Sequence, residues 1–185
     1  LFCLLILPLF SFAQEESTPA KTSAVGCVSG NCDNGEGVYR SSSGNLFEGT
    51  FRGGKLSGKG KLTYKSGDVF EGEFVNGHLS GNGTYTYRDG KVYKGSFQND
   101  HFEGQGSLDY PSGNHYEGGF SNNLKSGEGT YNFADGSVYK GAFIRDKMEG
   151  YGVWSYPNGD IYKGMFSKGK QQGKGTYSYK DGNSY

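Results

Sequence analysis

The chain has 185 residues, of which 34 are Gly, 15 Tyr, 13 Phe and 4 Pro. Glycine at this level with so few prolines excludes collagen. It also excludes long helices, because glycine costs about 1 kcal/mol per helical position relative to alanine. An aromatic content of 16% excludes a disordered chain, which lacks the large apolar groups whose burial offsets chain entropy. The 19 basic residues balance the 19 acidic ones, and this balance argues against electrostatic binding of nucleic acid or of an anionic membrane. The composition therefore predicts a β protein.

The first 23 residues are predicted to be an export signal and a linker. Residues 1–13 form an apolar run that ends in Ser11-Phe12-Ala13, where small residues suit cleavage after Ala13, and about twelve apolar residues are too few to span a bilayer. A buried N-terminal strand is the alternative interpretation. The run lacks an initial Met and a basic start, so we expect its extreme N-terminus to be missing. Residues 14–23 are polar, and we expect a periplasmic, cell-surface or secreted protein.

Cys27 and Cys32, with four residues between them, stand shortly after this linker. In an exported protein, two cysteines this close are expected to form a local disulfide. A metal site would need more ligands nearby, and the three histidines lie far along the chain. Lipidation at Cys27 is not expected, because the residues before it are polar, and Cys3 lies within the predicted signal.

Three sequence markers recur with a period of 23 residues: an aromatic-x-Gly-x-Phe motif, a Gly-x-Gly pair and a turn glycine. Markers that keep one register over seven copies predict a repeat protein. Residues 24–46 form a degenerate capping repeat with the cysteine pair, residues 47–184 form six full repeats, and Tyr185 begins a truncated further one. The first motif comprises Phe47, Gly49, Phe51, Phe70, Gly72, Phe74, Tyr93, Gly95, Phe97, Tyr116, Gly118, Phe120, Tyr139, Gly141, Phe143, Tyr162, Gly164 and Phe166.

Within each repeat the pattern alternates with a period of two, which predicts strands. Tyr93, Gly95 and Phe97 share one face of a strand, whereas Lys94 and Ser96 share the other. Each glycine leaves a slot over which a ring can lie, and dipeptides such as Ser66-Gly67 and Asp89-Gly90 are assigned to the tight turns. We therefore predict an all-β, elongated, single-layer antiparallel meander of stacked 23-residue β-hairpin repeats.

This pattern resembles the MORN repeat (membrane occupation and recognition nexus), most clearly in Tyr93-Lys94-Gly95-Ser96-Phe97 with Gly104-Gln105-Gly106 and Asp135-Gly136. With the export signal, the chain is similar to exported MORN proteins of the bacterial type. The resemblance implies one long curved sheet with a binding or scaffolding role. It also implies that a catalytic domain can accompany such repeats, so an enzyme whose catalytic domain lies beyond residue 185 is a remote alternative.

Nothing in these residues indicates catalysis. Polar residues recur in step along the sheet and do not converge, and His78, His101 and His115 have no evident carboxylate or cysteine partners. The Gly-x-Gly pairs lack the Gly-Lys-Ser/Thr of a phosphate loop. We expect no enzyme activity, no cofactor, no metal and no nucleic-acid partner.

The leading hypothesis is an exported scaffold for protein–protein interaction or self-assembly. The alternative is a module that binds cell-envelope glycan or phospholipid head groups through exposed tyrosines. A cluster of apolar residues interrupts the polar alternation near the C-terminal end and is predicted to form a docking patch on the outer face. Its members are Tyr151, Val153, Trp154, Met165 and Met148.

Overall fold

Fourteen β-strands make up the part of the chain that the structure describes, residues 24–185 of a computed structural model. The predicted signal peptide, the linker and Cys3 lie outside these residues. Residues 24–185 contain no helix that could cross a membrane. The strands are β1 (Gly26–Gly30), β2 (Gly35–Arg40), β3 (Leu46–Arg52), β4 (Lys55–Thr63), β5 (Val69–Val75), β6 (His78–Thr86), β7 (Val92–Gln98), β8 (His101–Asp109), β9 (His115–Ser121), β10 (Leu124–Asn132), β11 (Val138–Ile144), β12 (Lys147–Ser155), β13 (Ile161–Ser167) and β14 (Lys170–Ser178).

The strands follow one another in a single open sheet in chain order, and every adjacent pair is antiparallel. This topology confirms the predicted all-β meander of hairpins. Gly95 of β7 stands opposite Gly83 of β6 and Gly106 of β8, and the same glycine row continues in the neighbouring repeats. Because each repeat supplies two strands, equivalent residues of successive repeats lie in one row across the sheet, two strands apart.

The core lies on one face of the sheet, which we call the ring face. The side chains of Phe70, Tyr93, Tyr116 and Tyr139 are fully buried there. The ring of Tyr93 lies across Gly95, where an added Cβ would stand 2.5 Å from the tyrosine hydroxyl oxygen. Successive rings meet edge to face, a favoured aromatic geometry that links each repeat to the next, as in the 4.9 Å centroid separation between Tyr93 and Phe120.

Two kinds of connection alternate along the meander, and the tight turns are not where the sequence pattern placed them. Ser66-Gly67 lies in a five-residue connection, closed by a hydrogen bond of 2.9 Å from the amide of Tyr64 to the carbonyl oxygen of Asp68. The two-residue turns join the strands of the same repeat instead, as at Asn99-Asp100, where both residues have positive φ. Asn and Asp tolerate this conformation, which two-residue hairpin turns require.

The N-terminal hairpin carries the disulfide. Cys27 and Cys32 are joined by a bond of 2.05 Å, with their Cα atoms 5.7 Å apart. Cys32 packs against the core, and its sulfur would lie 3.0 Å from a Cβ added at Gly37. The sulfur therefore occupies, over Gly37, the kind of slot that an aromatic ring fills in later repeats.

Candidate functional site on the outer face of the sheet

The opposite side of the sheet, which we call the outer face, carries mostly polar side chains. One ion pair crosses β4 and β5, with 2.9 Å between Lys61 Nζ and Glu71 Oε1, and the hydrogen bond to Glu71 raises the pKa of Lys61. Both side chains are exposed, so this pair contributes little to stability. The residue that follows the first aromatic of each full repeat forms what we call the charge row: Glu48, Glu71, Lys94, Glu117, Lys140 and Lys163.

Three of the five predicted patch residues lie together on this face. Tyr151 of β12 stands directly opposite Met165 of β13, and their exposed fractions are 63% and 43%. Val153 lies two residues along β12 on the same face, opposite Lys163. We call Tyr151, Val153 and Met165 the outer-face patch.

The structure does not bring Trp154 and Met148 into this patch. Both lie on the ring face and pack against the core, where Met148 stands opposite Phe143 and the ring centroid of Trp154 is 4.8 Å from that of Phe133. The physical reason is strand alternation, which sends Trp154 to the face opposite its neighbour Val153. The indole Nε1 of Trp154 is buried without a hydrogen-bond partner.

A shallow groove beside the patch was not found from the sequence, and Ile144 is one of several further apolar residues that are exposed. Gly119 and Ala142, where other repeats carry larger side chains, stand opposite Gln105 and Glu128. Ile144 is 58% exposed. Comparison of equivalent positions, repeat by repeat, shows these breaks in the pattern. The groove has a volume of about 630 Å3 and is lined by Gln105, Glu117, Gly118, Glu128, Gly129, Thr130, Lys140, Gly141, Tyr151, Gly152 and Val153.

A smaller depression of about 320 Å3 extends this groove toward β7. It shares Gln105 and Glu117 with the larger groove and adds Lys94 and Ser107. The outer face thus offers a continuous shallow channel that crosses β7–β12, with polar walls and the apolar patch at one end.

The repeat pattern on which this surface is built matches one family model over most of the chain. Residues 34–46, 47–69, 70–92, 93–115, 116–138, 139–161 and 162–184 match the model described as MORN repeat. The chain belongs to the MORN repeat family. The degenerate first repeat, predicted to span residues 24–46, is matched over its second half only.

Solved structures with a similar fold are also found, whereas no curated protein matches the chain. The TCP domain of SAS-4 (dCPAP) from Drosophila melanogaster, in complex with a proline-rich motif of Ana2 (dSTIL), is 15% identical, with a TM-score of 0.54 and coverage of 86% of both chains. The wild-type TCP10 domain of Danio rerio CPAP is 15% identical over 80% of each chain, with a TM-score of 0.26. At this identity the likeness to the TCP domain is one of fold.

One MORN repeat holds a buried cation on its ring face. Lys125 is 8% exposed, and its Nζ lies 3.0 Å from Tyr110 Oη and 3.1 Å from Asp146 Oδ1. The rings of Tyr110, Tyr116 and Tyr131 also stand within about 6 Å of the ammonium group, close enough for cation–π attraction. Burial opposes the charge, but the hydrogen bond to Tyr110 and the pairing with Asp146 outweigh it and raise the pKa of Lys125. These partners satisfy the hydrogen-bonding capacity of the ammonium group, so Lys125 contributes to the packing of the ring face and not to a binding site.

Two histidines have carboxylate partners that were not evident from the sequence. His78 Nδ1 lies 2.6 Å from Asp100 Oδ2, and His115 Nδ1 lies 2.6 Å from Asp109 Oδ1. The first contact arises because the turn at Asp100 lies beside the start of β6, a proximity that sequence spacing does not reveal. Neither pair lines the outer-face groove, and in residues 24–185 no three His, Cys, Asp or Glu residues cluster as a metal site requires.

Proposed function

We propose that this MORN repeat protein is a non-catalytic interaction scaffold whose outer face binds a protein partner. The observation that carries the proposal is the exposed pair formed by Tyr151 and Met165, at positions where the repeat three units earlier has Asn82 and Ser96. Tyrosine and methionine are enriched at protein interfaces, and rings with few rotatable bonds lose little entropy on binding. The structurally similar TCP domain, which is in complex with a proline-rich motif, supports a protein segment as the kind of partner.

The channel beside the patch gives such a segment polar contacts. Gln105 and Thr130 present amide and hydroxyl groups, and Glu128 and Lys140 present opposite charges. An apolar anchor inside a polar rim is the common anatomy of a protein interface. Burial of the outer-face patch, at about 25 cal/mol per Å2, would supply several kcal/mol, whereas each exposed charge contributes little.

Export to an oxidising compartment is part of the proposal. Its support is the apolar run of residues 1–13, the small residues at the predicted cleavage site and the disulfide between Cys27 and Cys32. Mass spectrometry of the native protein tests it, because cleavage after Ala13 and the absence of free thiols are expected. A chain that retains residues 1–13 and carries two free thiols at Cys27 and Cys32 would contradict export.

The binding test compares two double variants at matched positions. Val153→Thr with Met165→Ser alters the outer-face patch, and Thr84→Ala with Ser96→Ala alters the equivalent positions 69 residues earlier. We expect the patch variant to bind a selected partner peptide at least roughly tenfold more weakly than the wild type, with unchanged strand content, and the control to bind normally. Equal peptide binding by both variants would contradict the proposal. Binding of purified glycan or lipid vesicles, without peptide binding, would favour the alternative module.

A further inference from the structure

The charge row is complementary to itself when its direction is reversed. Along the sheet it contains two acidic residues, one basic, one acidic and two basic: Glu48, Glu71, Lys94, Glu117, Lys140 and Lys163. In the opposite direction the same row begins with two basic residues, followed by one acidic, one basic and two acidic. When the row is laid against a reversed copy of itself, every acidic residue therefore meets a basic one.

This complementarity has a centre in the structure. Lys94 on β7 and Glu117 on β9 each stand opposite Ser107 of β8. Glu71 on β5 and Lys140 on β11 lie three strands from β8, on either side, in the same row across the sheet. A twofold axis that runs along β8 and passes over Ser107 therefore exchanges Lys94 with Glu117. The same axis exchanges Glu71 with Lys140.

We propose that the partner on the outer face is a second copy of this chain, stacked face to face and antiparallel about an axis along β8. This inference rests on the proposed function, since it names the occupant of the same surface. Stacked sheets lie about 10 Å apart, a gap that Lys and Glu side chains reaching from both sides can bridge. An axis along the strands keeps each row above itself, so Glu71 of one copy faces Lys140 of the other.

A second row supports the same register without using charge. The last residue of the first strand in each full repeat is polar in four repeats and apolar in two, and the apolar ones are Val75 and Ile144. Their exposed fractions are 55% and 58%, although both are large apolar residues. They lie on β5 and β11, the strands that also carry Glu71 and Lys140. In the proposed pair, Val75 of one copy meets Ile144 of the other, four residues along the same strands from the contact of Glu71 with Lys140.

Other arrangements of two copies lose this match. Parallel stacking places each charge against its own kind. An antiparallel pair shifted by one repeat brings Lys94 against Lys94 and Glu71 against Glu117, and like charges placed together oppose association. The proposed register also places Ser96 of β7 against Gly119 of β9 next to the axis, where small side chains allow close approach.

The register covers the outer-face patch as well. Tyr151 and Val153 on β12 lie four strands from β8, and Lys59 and Lys61 on β4 lie four strands away on the other side. The aliphatic stems of lysines can cover apolar surface while their charges reach solvent. Like-charge contacts remain between Lys55 on β4 and Lys147 on β12, and on the axis itself, where Asp109 of β8 meets Asp109 of the other copy.

The test exchanges charges at the pair formed by Glu71 and Lys140, because the twist of stacked sheets separates the rows farther from the axis. Glu71→Lys alone and Lys140→Glu alone each create two like-charge contacts per dimer, and we expect roughly 100-fold weaker self-association in sedimentation equilibrium. The double variant should associate as the wild type does. An equimolar mixture of the two single variants should form heterodimers, because each reversed position then meets an opposite charge.

Two further measurements sharpen the test. Lys147→Glu removes the like-charge pair with Lys55, so it should tighten association, and added salt should weaken the wild-type dimer by screening the exposed charges. A monomeric wild type, or a mixture that associates no better than the single variants, would overturn the inference. Peptide binding by the monomeric Glu71→Lys variant keeps the two proposals separate: if it binds peptide through the patch while the mixture fails to associate, only the second copy is wrong.

Discussion

The hydroxyl group of Tyr93 donates a hydrogen bond of 2.9 Å to the carbonyl oxygen of Ser96, three residues farther along β7. The ring is thereby held across Gly95, which lies between the two residues. The same bond recurs from Tyr116 to Gly119 in the next repeat, with a length of 2.9 Å. The first aromatic of the repeat pattern is therefore more than an apolar residue. Where it is tyrosine, as in Tyr93 and Tyr116, the hydroxyl group anchors the ring to the backbone by a hydrogen bond.

The chain offers its own comparison for this anchor, because Phe70 occupies the equivalent position without a hydroxyl group. We expect Tyr93→Phe to lower the free energy of unfolding by about 1 kcal/mol, through loss of the hydrogen bond to Ser96. Phe70→Tyr is the reverse change, but Cζ of Phe70 already lies where Tyr93 has its hydroxyl oxygen, 2.5 Å from a Cβ added at the next glycine, so the ring must shift and the change should not stabilise the fold. Urea unfolding followed by circular dichroism measures both changes, and a Tyr93→Phe variant as stable as the wild type would contradict the role of the anchor.

Replacement of the glycine under a ring should destabilise the fold more than replacement of its polar neighbour does. A Cβ at Gly95 would lie 2.5 Å from the hydroxyl oxygen of Tyr93 and 2.6 Å from the Cα of Gly106. Gly95→Val should therefore cost about 1 to 3 kcal/mol, despite the higher strand propensity of valine. Ser96→Val, on the outer face, is the matched control and should stay within about 0.5 kcal/mol of the wild type. Equal melting temperatures would show that the ring does not need the slot.

Sequence periodicity predicts the ring face well. Side chains on one face of a strand recur every two residues, and the whole motif recurs every 23 residues. This periodicity cannot predict Lys125 at a ring-face position that holds Phe102 and Met148 in the flanking repeats. Lys125 is accommodated because Tyr110 and Asp146, which are 15 and 21 residues away, converge on it in three dimensions.

The turns and the patch show the same limit. Arg145-Asp146 forms a two-residue turn in which both residues have positive φ, although the sequence there contains no glycine or asparagine to indicate it. Its conformation follows from the register of β11 and β12, which the repeat imposes. Trp154 was predicted to lie in the docking patch because it belongs to an apolar run that interrupts the polar alternation, whereas strand alternation assigns it to the ring face.

The buried ring-face tyrosines should make the protein sensitive to alkali. Burial is the main cause that raises the pKa values of Tyr93 and Tyr139 to about 12. A raised pKa means that the folded state holds the phenol proton more tightly than the unfolded state, whose tyrosine pKa is about 10. The resulting stability is complete below about pH 10 and is lost as pH rises toward 12. Phenolate absorbance should show this late titration, and Tyr139→Phe should remove part of it; titration of every tyrosine near pH 10 in the folded protein would be inconsistent.

Replacement of the buried cation, Lys125, should lower the free energy of unfolding less than replacement of its carboxylate partner, Asp146, does. Lys125→Met places at this position the residue that the next repeat has at Met148, and replacement of a buried ion pair by an apolar group is often close to neutral. Asp146→Asn keeps the oxygen that accepts a hydrogen bond of 2.9 Å from the backbone amide of Lys125. It leaves the ammonium group without its counter-charge, and should lower the free energy of unfolding by about 1 to 3 kcal/mol. Because the pKa of Lys125 is raised, its contribution is present below its unfolded value near 10.5 and is lost at higher pH. Thermal melts that rank the two variants in the opposite order would contradict this account.

Loss of the disulfide should loosen one end of the sheet and leave the rest intact. The bond between Cys27 and Cys32 closes a short loop in the first hairpin, and the chain-entropy model assigns such a loop about 2 kcal/mol. Because each repeat contacts its neighbours only, the loss should stay local. In a Cys27→Ser, Cys32→Ser variant, the amide of Asn31, which donates to Glu36 at 2.8 Å, should exchange with deuterium faster than in the wild type. Amides of β9 and β11 serve as the internal control and should keep their protection; faster exchange there as well would mean that the first hairpin supports the whole sheet.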